Sequence, residues 1–190
     1  FDVKRIIVAG EPGGSLSAVR ERIESAWNAK VIDHSGASEV GPWGYADVNQ
    51  QGLHIVAREF IAEFLSGASG EAASEGELSE LVLTTLGRAG SPVIRYRTGD
   101  LVETDDHDNL RIIGRASAVI NVGGQKVHPS EVEAVLNEIE GIKAVSVYGM
   151  DAPITGSAVA CEIVVSGDEA SRAWKRTILN YSRGKLAPWK

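Results

Sequence analysis

Short apolar runs separated by turn-rich breaks dominate the first two thirds of the chain. Residues 4–10, KRIIVAG, read as a buried strand stopped by glycine. A turn-rich loop, EPGGSLS, follows. In AVRERIESAW, Val19, Ile23, Ala26 and Trp27 recur at helical spacing, with Ser15 or Ser17 as the cap. KVIDHSG returns as a second strand, so the order is strand, helix, strand, the mark of an α/β layer. From Gly52 to Leu65 the partial alternation predicts a strand rather than a helix. Ser66–Glu77 is small, polar and Gly-rich, which predicts a loop. LSELVLTTL and SPVIRYRTGDLVE predict two more strands, TDDHDNL a turn, and RIIG a short strand.

The pattern changes after GRASAV, whose small and polar residues read as a linker. VINVGGQKV is strand-like with a Gly-Gly break. HPSEVEAVLNEIEG predicts a helix: Pro129 suits the first turn, Glu131 and Glu133 sit near its positive end, and Val132, Val135, Leu136 and Ile139 form one face. Gly141 ends it. Two strands, IKAVSVYGM and SAVACEIVV, precede a second helix, DEASRAWKRTILNYSRGKL, whose apolar members include Ala173, Ile178 and Tyr181. The tail is thus a β-α-β-β-α unit of about 70 residues.

Composition narrows the function classes. The 190 residues suffice for one ordinary domain or two small ones, and 43% apolar residues can bury a core. Nineteen basic against 26 acidic residues, net −7, argue against a nucleic-acid or anionic-membrane partner. The one cysteine, Cys161, cannot form an internal disulfide, which points to a reducing cytoplasm. No apolar run approaches the roughly 20 residues of a membrane span, and no charged-then-apolar leader opens the chain. The start on FDVKRIIVAG, without Met, and the stop at LAPWK lead us to expect a piece of a longer protein.

Three bends follow predicted strands: GEPGGS, DHSGASEVGP and RTGD. In layered α/β folds ligands gather outside the carboxyl ends of strands. The first bend matches neither standard phosphate-loop signature and by itself reads as a strand-to-helix turn. In the second, Ser35, Gly36, Ser38 and Glu39 can meet a phosphate and its magnesium ion, although a polar turn uses the same residue types. In the third, Asp100 can accept hydrogen bonds from two ribose hydroxyls, or close an Asx-type turn.

The order GEPGG, HSGASEVGP, RYRTGD and GRASAVINVGGQKVHPSEVE resembles the adenylate-forming superfamily of acyl- and aryl-CoA ligases, with phenylacetate-CoA ligase as the nearest branch. The resemblance covers nearly the whole chain. It implies that residues 1–114 end a large nucleotide-binding α/β domain. Residues 115–118 would be a hinge, and residues 119–190 a small mobile α+β domain. It also implies a carboxylate attacking the α-phosphate of ATP to give acyl-AMP, then a thiol, usually that of coenzyme A, attacking the anhydride. By match to the family motifs, Glu39 would face Mg²⁺ and Ser38 a phosphate oxygen. Asp100 would hold the ribose with Arg115 beside it, and Gly10, Glu11 and Pro12 would border the adenine. Gly123 and Gly124 would leave room for the pantetheine arm, and Lys126 would assist coenzyme A. The implied substrate is a small carboxylic acid, aromatic by the branch, and relatives often pair as homodimers.

Four departures qualify the resemblance. Ser35 stands where the family carries an aromatic that stacks on adenine, and Ser117 where the hinge carries Asp or Lys. The final Gly-Lys motif would lie beyond KLAPWK, so Lys185 is read as an ordinary helix-end cation rather than the catalytic lysine. The family's phosphate loop and most of its acyl pocket would lie upstream of Phe1, so the chain alone is expected to lack full activity. Arg97 is expected to steady the loop presenting Asp100 and Arg95 to be an edge-strand charge, a salt bridge being open for both. His34, His54, His107 and His128 lack metal-ligand spacing, and Trp43 can line a pocket or pack. Two rivals stand beside the CoA ligase: an adenylating enzyme that loads a carrier-protein thiol, and a degenerate relative that only binds.

Overall fold

The computed structural model describes residues 2–10, 14–46, 52–67, 69–105, 109–166 and 172–190, with Arg172 and Ala173 through their backbone. The predicted roles of Glu11, Pro12, His107 and the Ala173 side chain therefore lie outside the described residues. The chain divides into two compact units, Phe1–Ala116 and Ser117–Lys190.

The first unit runs β1 (Arg5–Ala9), α1 (Ser17–Trp27), β2 (Lys30–Ala37), β3 (Gly41–Ala46), β4 (Leu53–Ile55), β5 (Phe60–Ser66), β6 (Ser79–Thr85), β7 (Tyr96–Thr104) and β8 (Leu110–Arg115). They form an eight-stranded sheet in the order β1-β2-β3-β4-β8-β7-β6-β5. β1 and β2 pair in parallel, with α1 as the crossover, and the remaining neighbours pair antiparallel. The sheet curls on itself. Val40 and Trp43, from the tip and arm of the β2–β3 hairpin, share one buried core with Leu81, Leu83, Val102 and Leu110, although β4 and β8 lie between β3 and β7 in the order. Each of these aliphatic side chains contributes about 2 kcal/mol by leaving water, so the curl that brings the hairpin tip to β6 and β7 is fixed by burial.

Several elements differ from the reading of the sequence. The second bend begins inside β2, and only Ser38–Val40 form its turn. GPWGYA is a strand, β3, despite its glycines and proline. The single strand expected from Gly52 to Leu65 is two, broken by a turn in which the Glu59 N–H donates to the Val56 carbonyl. The third bend lies within β7, which continues to Thr104. The N-cap of α1 is Leu16, without a side-chain capping bond, and on the expected apolar face Ala26 and Trp27 are exposed.

A 3-10 turn, Ala116–Ala118, spans the boundary between the units, where the linker was expected. The second unit continues with β9 (Ile120–Val122), β10 (Gln125–Val127), α2 (Pro129–Asn137), β11 (Ile142–Ala152), β12 (Gly156–Val165) and α3 (Arg172–Lys185), the strands ordered β10-β9-β12-β11. Val132 and Leu136 of α2, with Ile139 just past its end, enter a core with Ile120, Val127, Ile142 and Val147, against which Trp174, Ile178 and Tyr181 of α3 pack. Pro129 opens α2 and Glu131 occupies its first turn. Glu133 instead accepts the Val147 N–H at 2.9 Å, tying α2 to β11. Gly141, at φ 89°, could not be replaced cheaply: an added Cβ would lie 2.7 Å from the Trp174 ring. Lys185 is an exposed cation in the last turn of α3, as expected, and pairs with Glu138, which also accepts the Tyr181 hydroxyl at 2.6 Å. Among the described residues, no helix is long and apolar enough to cross a membrane.

Candidate functional site

The site begins at the β2–β3 hairpin. Ser35 lies opposite Gly44, and a bulge between Ser35 and Gly36 redirects the strand. A Cβ on Gly36 would sit 3.2 Å from both the Gly41 carbonyl and the Pro42 Cα, so a side chain there would press the two strands apart by a few tenths of an ångström. Ser38 and Glu39 stand exposed at the tip, beside the buried Val40 that anchors it. A guanidinium N–H of Arg88 donates to the Glu39 carbonyl and fixes the turn from the far side.

Across the fold, β7 presents Asp100 by a local device. Thr98 is buried; its hydroxyl donates to the Leu81 carbonyl at 2.9 Å and accepts the Asp100 N–H at 3.0 Å. Gly99 takes φ 74°, a conformation that side chains resist, and turns the strand so that Asp100 meets Arg115 in register on β8. Arg115 Nε lies 3.1 Å from Asp100 Oδ1, and its Nη1 donates to the Thr98 carbonyl at 2.7 Å. Burial pushes the Asp100 carboxyl above its ordinary range, against the opposing pull of Arg115 and the Thr98 hydrogen bond.

The ionisation of Tyr96 responds to both ends, to Glu39 on the hairpin and to Asp100 and Arg115 on β7 and β8. Burial, the largest cause, raises its pKa, Glu39 and Asp100 raise it further, and Arg115 opposes them. Glu39, Tyr96, Asp100 and Arg115 thus form one group within the first unit. The first bend approaches the same hairpin: Gly10 directly follows Ala9, which pairs with His34, so Gly10 comes level with Ser35. Gly14 packs where a Cβ would lie 2.5 Å from Asp33 Oδ1 and Val8 Cγ2.

The other singled-out residues lie elsewhere. Gly123 and Gly124, at φ 57° and 91°, form the two-residue turn of the β9–β10 hairpin, with the Gly124 N–H donating to Asn121 Oδ1 at 2.9 Å. A turn with both central φ positive selects glycine by itself. Lys126 is exposed on β10. Arg97 does not reach the bend that holds Asp100; its guanidinium forks onto Glu80 of β6, while Arg95 pairs with Glu63. Trp43 is core. Among the described residues, no three His, Cys, Asp or Glu side chains cluster as a metal site.

Reading the sequence missed three contributors. Arg88 lies in an ordinary polar loop, LGRAGSP, with no local signal. Tyr96 and Thr98 stand inside RYRTGD, and the alternation of that strand, which puts Tyr96, Thr98 and Asp100 at period two, is the signal that could have found them.

No family model matches the chain. The phenylacetate-coenzyme A ligase of Thermus thermophilus is 32% identical over 142 residues, covering 68% of this chain and 32% of that protein. That of Aromatoleum evansii is 30% identical over 128 residues, covering 63% and 29%. Among solved structures, the anthranilate CoA ligase AuaEII in complex with anthranoyl-AMP superposes with a TM-score of 0.81 at 18% identity, over 98% of this chain and 39% of that one. A benzoate CoA ligase from Burkholderia xenovorans superposes with a TM-score of 0.77 at 18% identity, over 98% and 40%. The chain spans about a third of the length of these two phenylacetate-coenzyme A ligases. It is related in sequence to the acyl- and aryl-CoA ligases of the adenylate-forming superfamily and carries their α/β fold over that part of their length.

Proposed function

We propose that this chain supplies the nucleotide-gripping face and the small mobile domain of an ATP-dependent carboxylate–CoA ligase acting on an aromatic or related acid. The observation that carries this reading is the grouping of Glu39 with Asp100 and Arg115 around Tyr96, on the two motifs that resemble the family's phosphate and ribose contacts. Asp100 accepts the ribose hydroxyls, with Arg115 holding its carboxylate in place. Ser38 donates to a phosphate oxygen, Ser35 and Gly36 bring the backbone close to the nucleotide, and Gly10, Glu11 and Pro12 border the base.

The carboxylate of the acid attacks the α-phosphorus and pyrophosphate leaves, giving acyl-AMP. The sulfur of coenzyme A then attacks the acyl carbon and AMP leaves. Both steps bring anions together, so positioning and oriented donors carry the catalysis. Glu39 is a single exposed carboxylate, which fits Mg²⁺, an ion held by one or two carboxylates with the remaining positions filled by phosphate and water. When bound, that ion neutralises phosphate charge. Residues 115–118 serve as the hinge for residues 119–190. The Gly123–Gly124 turn borders the pantetheine arm, with Lys126 near coenzyme A.

Acid-dependent ATP–pyrophosphate exchange by the full-length protein, across a panel of aryl and alkyl acids, tests the reading. Exchange that requires an acid, followed by thioester on free coenzyme A, is expected. Thioester on a phosphopantetheinyl protein alone would move the acceptor to a carrier. One observation favours the binding-only reading: Ser35 faces Gly44, where an added Cβ would lie 3.4 Å from the Ser35 Cβ, so this pair offers no aromatic platform for adenine. Silence with every acid from a folded protein would support that reading instead.

A further inference from the structure

We propose that Arg88 is a positioning residue that holds the Ser38–Glu39 turn at its working place for the phosphates and their metal ion. This rests on the ligase reading for its catalytic consequence, though not for the contact itself. Ser38–Val40 close the β2–β3 hairpin just beyond a bulge, with the Val40 N–H donating to the Ala37 carbonyl at 3.2 Å, and Ser38 and Glu39 stand exposed. An exposed turn of this kind samples several backbone shapes unless something outside it takes hold. Arg88 does so from 49 residues away, its guanidinium donating to the Glu39 carbonyl. The loop that carries Arg88 is itself braced. The Leu86 N–H donates to the Glu59 carbonyl at 2.8 Å and the Ser91 N–H to the Arg88 carbonyl at 3.1 Å. At the base of the loop the Thr85 N–H donates to the Val93 carbonyl at 2.9 Å, and the Val93 N–H to the Thr85 hydroxyl at 3.0 Å. Arg95, Arg97, Arg111 and Arg115 each pair with a carboxylate. Among the described residues Arg88 pairs with none, and the Glu39 carbonyl is the acceptor of its guanidinium. The same device recurs at the other two bends: Arg20 Nη1 donates to the Gly14 carbonyl at 3.2 Å, and Arg115 Nη1 to the Thr98 carbonyl at 2.7 Å. Each bend thus has a guanidinium on one of its backbone carbonyls, and a planar fork loses less freedom per bond than a lysine amine. A site on a loop is placed less precisely than one on a strand, and Arg88 lends the Glu39 turn the support it lacks from the ladder.

The test uses the full-length protein with Arg88→Met, Arg88→Lys and, as a control for loss of a surface arginine, Arg111→Ala. In pyrophosphate exchange, Arg88→Met, which keeps the stem but no donor, should raise the KM for magnesium ATP about tenfold, with the KM for the acid unchanged. Arg88→Lys can still donate to the carbonyl and should recover part of that loss, while Arg111→Ala should keep the wild-type KM. Amide hydrogen exchange at Val40 and Gly41 should quicken in Arg88→Met and not in Arg111→Ala. A KM for magnesium ATP that Arg88→Met leaves in place, that Arg111→Ala raises as far, or that Arg88→Lys does nothing to restore, would overturn the proposal. Should the wild type exchange no pyrophosphate with any acid, the ligase reading falls and amide exchange decides the contact: faster exchange at Val40 and Gly41 in Arg88→Met upholds it, and unchanged rates remove it.

Discussion

Two glycine-bearing bends, one in each unit, carry residues that the family resemblance singles out, and they are built on opposite principles. In β7, Gly99 bends a strand whose flanks are locked. Thr98 is buried and bonded to β6, Asp100 is half-buried and paired with Arg115, and the Gly99 backbone works for its neighbours. In the β9–β10 hairpin, Gly123 and Gly124 sit exposed. Nothing lies within 4 Å of a Cβ on Gly124, and the turn is satisfied by its own Asn121. The β7 bend holds a polar group at an energetic cost; the hairpin turn reverses the chain with no buried polar group to hold. A glycine in a motif is a statement about backbone shape, and only its neighbours tell whether chemistry is attached.

Four substitutions break or sharpen that contrast. Asp100→Ala should have the largest effect: loss of two ribose hydrogen bonds to a charged acceptor lowers pyrophosphate exchange about a hundredfold or more, while the fold, followed by circular dichroism, stays intact. Thr98→Val keeps shape but strands the Leu81 carbonyl and the Asp100 N–H. Denaturant unfolding should show a loss of about 1–3 kcal/mol, accompanied by weaker nucleotide binding. Gly124→Ala meets open space yet keeps φ 91°, so it should cost about 1–2 kcal/mol from backbone strain alone. That loss should appear in the unfolding of the second unit only.

The smallest effect is a pH dependence. The folded state raises the Asp100 pKa, so it binds more protons than the unfolded chain near the ordinary carboxylate range, and stability falls as pH rises through the folded pKa. Asp100→Asn should therefore melt slightly above the wild type at neutral pH. The difference should vanish as the solution is acidified below the ordinary carboxylate range. A difference that grows on acidification would show that Arg115, not burial, dominates the site.

The contrast also explains what could be read beforehand. The second unit was legible because its helices announce themselves: Pro129, then Val132, Leu136 and Ile139 at helical spacing. In the first unit no strand was expected at GPWGYA, since Gly and Pro punctuate most chains. Yet β2 and β4 supply partners on both sides, and Trp43 lands in the core. The same tertiary override carries β7 through Gly99, where Thr98 ties the strand to Leu81. Asp100 and Glu39 were legible as residue types in motifs. That both lie within electrostatic reach of Tyr96 was not, because it depends on the fold that buries Val40 in one core with Leu81 and Leu83.

A crystal structure of the full-length protein with ATP and magnesium tests the central claim most directly. The account predicts both ribose hydroxyls within hydrogen-bond distance of Asp100, and the phosphates running toward Ser38 and Glu39. A nucleotide bound on another surface, away from Glu39 and Asp100, would contradict it.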